Sequence, residues 1–301
     1  MSQASSFKAD WMNREERSNT AVLKLMAWLS LAFGRTASRA LLHAIAAYFT
    51  LFSPRARRAS RVYLERALGR PARLADCYRH VLAFASTVHD RVYLLRDRFD
   101  LFDIEVVGAE CVHEALAKQP GALLMGAHVG SFEVLRALGR SRAGLNVAML
   151  MYEENARKIN AALASVNPAL VADIIPLGRM DSMLKARDKL DAGYLVGMLA
   201  DRGLGDHASF ECDFLGRPAR FPLGPFRMAA MLRRPVFLML GLYLGGNRYR
   251  VHFEPLADFT GVVRGARDAE IRATLERYAG RLAHHCRHAP YNWFNFFDFW
   301  Q

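Results

Sequence analysis

The chain has 301 residues, with 41 Lys and Arg against 29 Asp and Glu, so its formal charge is +12 with histidine neutral. Apolar residues make up 52% and charged residues 23%, which excludes disordered, collagen-like and coiled-coil chains. Cys77, Cys111, Cys212 and Cys286 are far apart and form no C-x-x-C, which argues against a disulfide scaffold or a structural zinc cluster and suits a reducing compartment.

The charge is uneven. Residues 1–100 hold 17 basic and 8 acidic side chains, a balance of +9, and the rest of the chain carries only +3. Such a basic front end calls for an anionic partner or surface. The first 17 residues are polar and include Glu15 and Glu16, unlike a signal peptide, which is basic and then apolar. Two apolar runs follow, Leu25–Gly34 and Ala40–Ser53, separated by Arg35 and Arg39. Neither reaches the roughly 20 residues of a bilayer crossing. Trp28, Phe33, Tyr48, Phe49 and Phe52 stud these runs, and Arg55, Arg57, Arg58 and Arg61 follow at once. Apolar helices edged by arginine fit a monotopic anchor on anionic lipid, and two buried helices on a core are the other reading.

Apolar spacing predicts helices over residues 21–33, 37–52, 59–68 and 75–95, with Gly69-Arg70-Pro71 as punctuation. Beyond them the texture changes. Short apolar runs at 102–107, 122–125, 147–151, 174–176, 194–199 and 236–240 alternate with helical patterns at 132–138, 155–165, 180–190 and 226–232. This alternation predicts an α/β fold with a central, mostly parallel sheet flanked by helices. A hairpin is expected across Gly245-Gly246-Asn247 and a last helix over 269–285. The expected division is an N-terminal helical, membrane-associating segment at 1–98 and a catalytic domain at 99–301.

The most informative stretch is Gly121-Ala-Leu-Leu-Met-Gly-Ala-His128-Val-Gly-Ser-Phe-Glu133. His128 lies just past a strand, where open α/β sheets bind ligands. Gly130 and Ser131 permit a sharp turn into a helix whose first turn holds Glu133. A carboxylate on one imidazole nitrogen fixes the tautomer and leaves the other as a general base. The alternative is a strand-end histidine bonded to backbone, with Glu133 complementing a helix N-terminus.

This His-x4-Glu after a Gly-Ala-Leu-Leu-Met-Gly strand resembles the His-x4-Asp/Glu motif of the lysophospholipid acyltransferase superfamily, and above all its lipid A late acyltransferase branch. Other stretches match that branch in order: Leu190-Asp-Ala-Gly193 followed by Ala200-Asp201-Arg202-Gly203, Phe214-Leu-Gly-Arg-Pro-Ala219, Gly224-Pro225, Arg234-Pro-Val236, and Pro290-Tyr-Asn-Trp-Phe294. Together they span about residues 20–301. The resemblance implies a glycerol-3-phosphate-acyltransferase-like fold at the cytoplasmic face of a bacterial inner membrane. It implies transfer of a fatty acyl group from acyl carrier protein or coenzyme A to a lipid or glycolipid hydroxyl, without metal or other cofactor. His128 would be the base and Glu133 its orienting partner, with Arg179 and Asp201 also at the site. The chain departs from the branch where Arg202-Gly203 follows Asp201. Ala85-Ser-Thr87 and Asp90-Arg-Val-Tyr-Leu-Leu95 are similar to acyltransferase-like proteins of aryl-polyene pathways, which would change the acyl group.

Asp201 closes the run at 194–199 and so faces the same sheet edge as His128. Arg217, Arg220 and Arg227 flank glycines and prolines near the start of a helix, a setting suited to phosphates of a carrier or lipid head group, and Arg202 beside Asp201 is a further candidate substrate-binding residue. His284, His285, Cys286 and His288 read as a solvated helix end rather than a metal site. The tail from Trp293 to Trp300 reads as core packing. No G-x-S-x-G elbow supports a hydrolase, although water could replace the acceptor. No phosphate loop and no nucleic-acid motif is present.

Overall fold

The computed structural model describes residues 20–135, 138, 146–152, 174–178, 181–203 and 208–300, with side chains from residue 34 onward. Three helices come first: α1 (Thr20–Phe52), α2 (Pro54–Leu68) and α3 (Leu74–Leu94). The two helices predicted within 21–52 are present, meeting at Gly34, whose φ of 76° and ψ of 167° interrupt the helical backbone of α1. Pro54 opens α2, where its missing N–H costs nothing. Arg57 donates to the Thr50 and Leu51 carbonyls at 2.7 and 2.8 Å, closing the end of α1.

The remainder runs β1 (Asp103–Val107), α4 (Ala109–Lys118), β2 (Ala122–Gly126), β3 (Val147–Tyr152), β4 (Ile174–Leu177), α5 (Ser182–Asp191), β5 (Leu195–Leu199), β6 (Ser209–Phe214), β7 (Arg217–Pro222), α6 (Gly224–Leu232), β8 (Pro235–Gly245), β9 (Arg248–Asp258) and α7 (Arg267–His288). Seven described strands form a sheet in the order β1-β9-β8-β2-β5-β3-β4. Every neighbouring pair is parallel except the β8–β9 hairpin. This is the predicted α/β fold with a mostly parallel sheet. The helix predicted at 155–165 lies outside the described residues. Helix α4 and the antiparallel hairpin β6–β7 were not predicted.

Strands β2 and β5 are apolar throughout because both faces are covered. Leu123 and Met125 of β2 join a core cluster with Tyr63 of α2 and Leu275, Tyr278 and Leu282 of α7. Ala122 and Leu124, pointing the other way, join Leu94 of α3, Val112 of α4 and Leu135. The buried positions Ile271, Leu275, Tyr278, Leu282 and Cys286 of α7 recur at helical spacing, which lays that helix along the sheet.

The arginines that interrupt the N-terminal apolar runs have buried work. Arg35 of α1 forms a two-pronged pair with Asp90 of α3 at 2.8 and 2.9 Å. Asp90 has no exposed surface and also accepts from Tyr249 Oη at 2.8 Å. Burial alone would raise Asp90, but its bonds to His89 and Arg35 outweigh that and hold it below the usual carboxylate range. Arg39 donates to Tyr243 Oη at 2.8 Å. The kinked α1 is thus pinned through α3 to the sheet. No described helix is long and apolar enough to cross a membrane.

The contrast between buried and exposed pairs gives a test. Arg35→Ala would leave Asp90 buried beside Tyr249 without its principal counter-charge, a loss of about 3 kcal/mol in unfolding free energy by denaturant titration. Arg98→Ala breaks an exposed pair with Asp100 and is expected to leave the unfolding midpoint unchanged.

Candidate active site

The site follows from strand register. Strands β2 and β5 are parallel neighbours, with Gly126 opposite Leu199. Each chain then runs two residues past its strand, to His128 and to Asp201. Parallel strands end on the same edge, so these two side chains meet at the carboxyl edge of the sheet. Asp201 Oδ1 lies 2.8 Å from His128 Nδ1, and Oδ2 accepts from the His128 backbone N–H at 3.1 Å. Tyr278 Oη donates to the Gly126 carbonyl at 2.9 Å, fixing the end of β2 just before the site.

Past His128 the chain reverses at Gly130, whose φ is +60°. A Cβ there would stand 1.9 Å from the Gly241 carbonyl oxygen, and a Cβ at Gly241 would stand 2.3 Å from the Ser131 carbonyl oxygen. Glycine at both positions lets the loop press against β8. Ser131 N–H donates to the Gly241 carbonyl at 2.8 Å, and residues 133–135 are helical.

Glu133 does not take the position the sequence suggested for it. The turn at Gly130 sends its carboxylate toward α3, where Oε1 accepts from Arg91 Nη2 at 2.9 Å. Asp201, not Glu133, occupies Nδ1 of His128. Glu133 is 5% exposed, so its pair with Arg91 anchors the turn that carries His128.

Asp201 has no exposed surface and has donors on several sides. Trp293 Nε1 donates to Oδ2 at 3.0 Å, and Arg202 Nε stands 3.7 Å from Oδ2. Burial would raise the acid. Its close pairing with His128, the charge of Arg202 and the indole N–H prevail and hold it well below the ordinary carboxylate range. Asp201 is therefore an anion that only accepts. It selects the tautomer with the proton on Nδ1, leaving the Nε2 lone pair available. The His128 side chain is 37% exposed, so that lone pair can be reached. Arg202 donates from Nη2 to the Phe294 carbonyl at 2.7 Å and stacks over Phe297, with burial lowering its pKa against the opposing charge of Asp201.

The other arginines lie elsewhere. Arg217 and Arg220 are both exposed on β7, while Ala219 and Phe221 turn into the core. Arg220 is 3.7 Å from Glu211 across the hairpin, and no described contact joins either arginine to the His128–Asp201 pair. Arg179 lies outside the described residues. The C-terminal histidines are also redistributed. His285 joins His252 and Glu254, whose ligand atoms come within 4.8 Å of one another. Glu254 already accepts from Arg281 at 2.5 and 2.8 Å and pairs with His285 at 2.7 Å. These contacts on Glu254 tie α7 to β9.

The residues that sequence reasoning missed are in the tail. Residues 290–295 thread beside the His128 loop. Gly130 N–H donates to the Asn292 carbonyl, and Phe294 N–H to the His128 carbonyl, each at 2.8 Å. His80 of α3 joins the same segment. Its Nε2 is 2.8 Å from the Trp293 carbonyl and its Nδ1 is 2.8 Å from Ser60 Oγ. The Pro-Tyr-Asn-Trp-Phe stretch was a signal that the tail matters, but not of what its indole touches.

Residues 8–301 match the family of bacterial lipid A biosynthesis acyltransferases. The chain belongs to that family. It matches no curated protein. The lipid A acyltransferase family accounts for the His128 stretch and the ordered segments after it, and the structure gathers His128, Asp201 and Trp293 from three of those segments.

The helices and tail of this acyltransferase carry a pH signature. Burial lowers His80 from 6.5 to about 4, and the unfolded chain would take up the proton first. Stability at this site is complete above pH ~6.5 and is lost as pH falls toward 4. The 2.5-unit gap corresponds to about 3 kcal/mol. His252 is also lowered to about 4, by burial and by His285, so it adds to the same window. Urea midpoints from pH 7 to 4.5 should fall, and His80→Gln should flatten that slope.

Proposed function

We propose that the protein transfers a fatty acyl group from an acyl carrier protein or coenzyme A thioester to a hydroxyl of a lipid A-type glycolipid, with His128 as general base and Asp201 as its orienting partner. One observation carries this reading: a fully buried carboxylate sits on Nδ1 of a histidine whose side chain is 37% exposed at a sheet edge. The family supports the acyl transfer itself.

In the proposed reaction the acceptor hydroxyl gives its proton to Nε2 as its oxygen attacks the thioester carbonyl. The imidazolium is stabilised by Asp201. The tetrahedral intermediate collapses, the C–S bond breaks, and the departing thiolate recovers the proton from Nε2. Glu133 holds the His128 turn through Arg91. No acyl-enzyme is needed.

Association with an anionic leaflet is part of the proposal. The end of α1 exposes Tyr48 at 58%, Leu51 at 55% and Phe52 at 67%, and Arg55, Arg58 and Arg61 are exposed on the helix that follows. Apolar side chains beside arginines suit a helix lying in the head-group layer.

The test is acyl transfer from labelled acyl carrier protein and acyl-CoA to lipid A precursors. His128→Ala should lower turnover by roughly a thousandfold, and Asp201→Asn should lower it as well, by no more than His128→Ala. Glu133→Gln should lose less than Asp201→Asn. Transfer surviving His128→Ala, or a larger loss from Glu133→Gln, would contradict the assignment. Release of free fatty acid alone would favour a hydrolase.

A further inference from the structure

Asp201 can orient His128 only if its own plane is fixed. Oδ1 takes the imidazole; Oδ2 takes the His128 backbone N–H at 3.1 Å and the Trp293 indole N–H at 3.0 Å. The backbone donor belongs to the residue being oriented, so it moves with the loop and cannot serve as an outside reference. The indole can. Trp293 has no exposed surface. Its ring is held edge-to-face by Tyr63 at 4.9 Å, Phe214 at 5.1 Å and Phe299 at 4.8 Å. Its carbonyl is held by His80 of α3, and the residues on either side pair with Gly130 and His128. The tail thus grips the base and its carboxylate together.

From this we infer that Trp293 is a positioning residue, whose indole N–H sets the Asp201 carboxylate so that Oδ1 meets His128 Nδ1. The inference rests on the acyl-transfer reading only for its kinetic consequence. Without that N–H, Oδ2 keeps the His128 backbone N–H at 3.1 Å, and the nearest donor outside the His128 loop is Arg202 Nε at 3.7 Å. The carboxylate would swing toward it and away from the imidazole. A buried polar pair is strict in this respect, because no water replaces the missing donor.

The test exchanges one atom group. Trp293 is replaced by 3-benzothienylalanine, which keeps the bicyclic shape and substitutes sulfur for N–H, and Trp293→Phe is made alongside. Three quantities are read: kcat and KM for the thioester, the unfolding temperature, and the downfield proton resonance of His128 Nδ1–H, assigned by its loss in His128→Gln. The isostere should lower kcat by roughly tenfold to a hundredfold, leave KM and the unfolding temperature near those of the parent, and shift or exchange-broaden the resonance. Trp293→Phe should show the same kcat loss. An unmoved resonance, an unchanged kcat in an active enzyme, or a kcat loss that only follows lost stability overturns the inference. If the parent protein transfers no acyl group at all, the acyl-transfer reading fails separately and the resonance alone decides for or against positioning.

Discussion

A carboxylate with no exposed surface takes up a proton unless donors replace the water it has lost. Asp201 avoids protonation because His128 supplies two hydrogen bonds, Trp293 a third, and Arg202 a nearby positive charge. These donors come from the loop after β2, the tail after α7 and the loop after β5. Satisfying one buried charge therefore fixes three distant parts of the chain against each other. The same satisfaction places a carboxylate acceptor on His128 Nδ1, the geometry on which the proposed base rests. Structural and chemical demands coincide in this acid.

A second buried acid does comparable work farther from the chemistry. Asp90 collects Arg35 and Tyr249, joining α1, α3 and the sheet. The helical layer reaches the site through α2 and α3 as well. Tyr63 Oη donates to the Pro290 carbonyl at 2.8 Å, and Ser60 and His80 hold the tail at Trp293. A surface proposed to meet lipid is thus continuous with the segment that holds the active-site carboxylate.

The parallel sheet was legible in the sequence because its strands are short continuous apolar runs between helical patterns. His128 was legible because a glycine-bracketed histidine past such a run falls at the ligand edge. Asp201 could be placed on that edge, but not against His128. That needs the knowledge that β2 and β5 are neighbours although β3 and β4 separate them in sequence, and apolar runs do not encode strand order. The local candidate, Glu133, was closer in sequence, yet the left-handed turn at Gly130 carries it to Arg91. Trp293 was hidden by its surroundings. In a tail of aromatic residues, packing explains each ring, and only the indole nitrogen's partner distinguishes this one. The β6–β7 hairpin that carries Arg217 and Arg220 was not legible, because its largely polar strands left too weak an apolar signal.

The central claim is that His128 and Asp201 act as one unit, and a double-mutant cycle tests it directly. Acyl-transfer rates would be measured for His128→Ala, Asp201→Ala and the pair together. If Asp201 works only through the imidazole, the double variant will be no slower than His128→Ala alone, as expected for residues that share one catalytic function. If the two losses multiply, the residues act independently, and the hydrogen bond at the sheet edge does not carry the chemistry assigned to it.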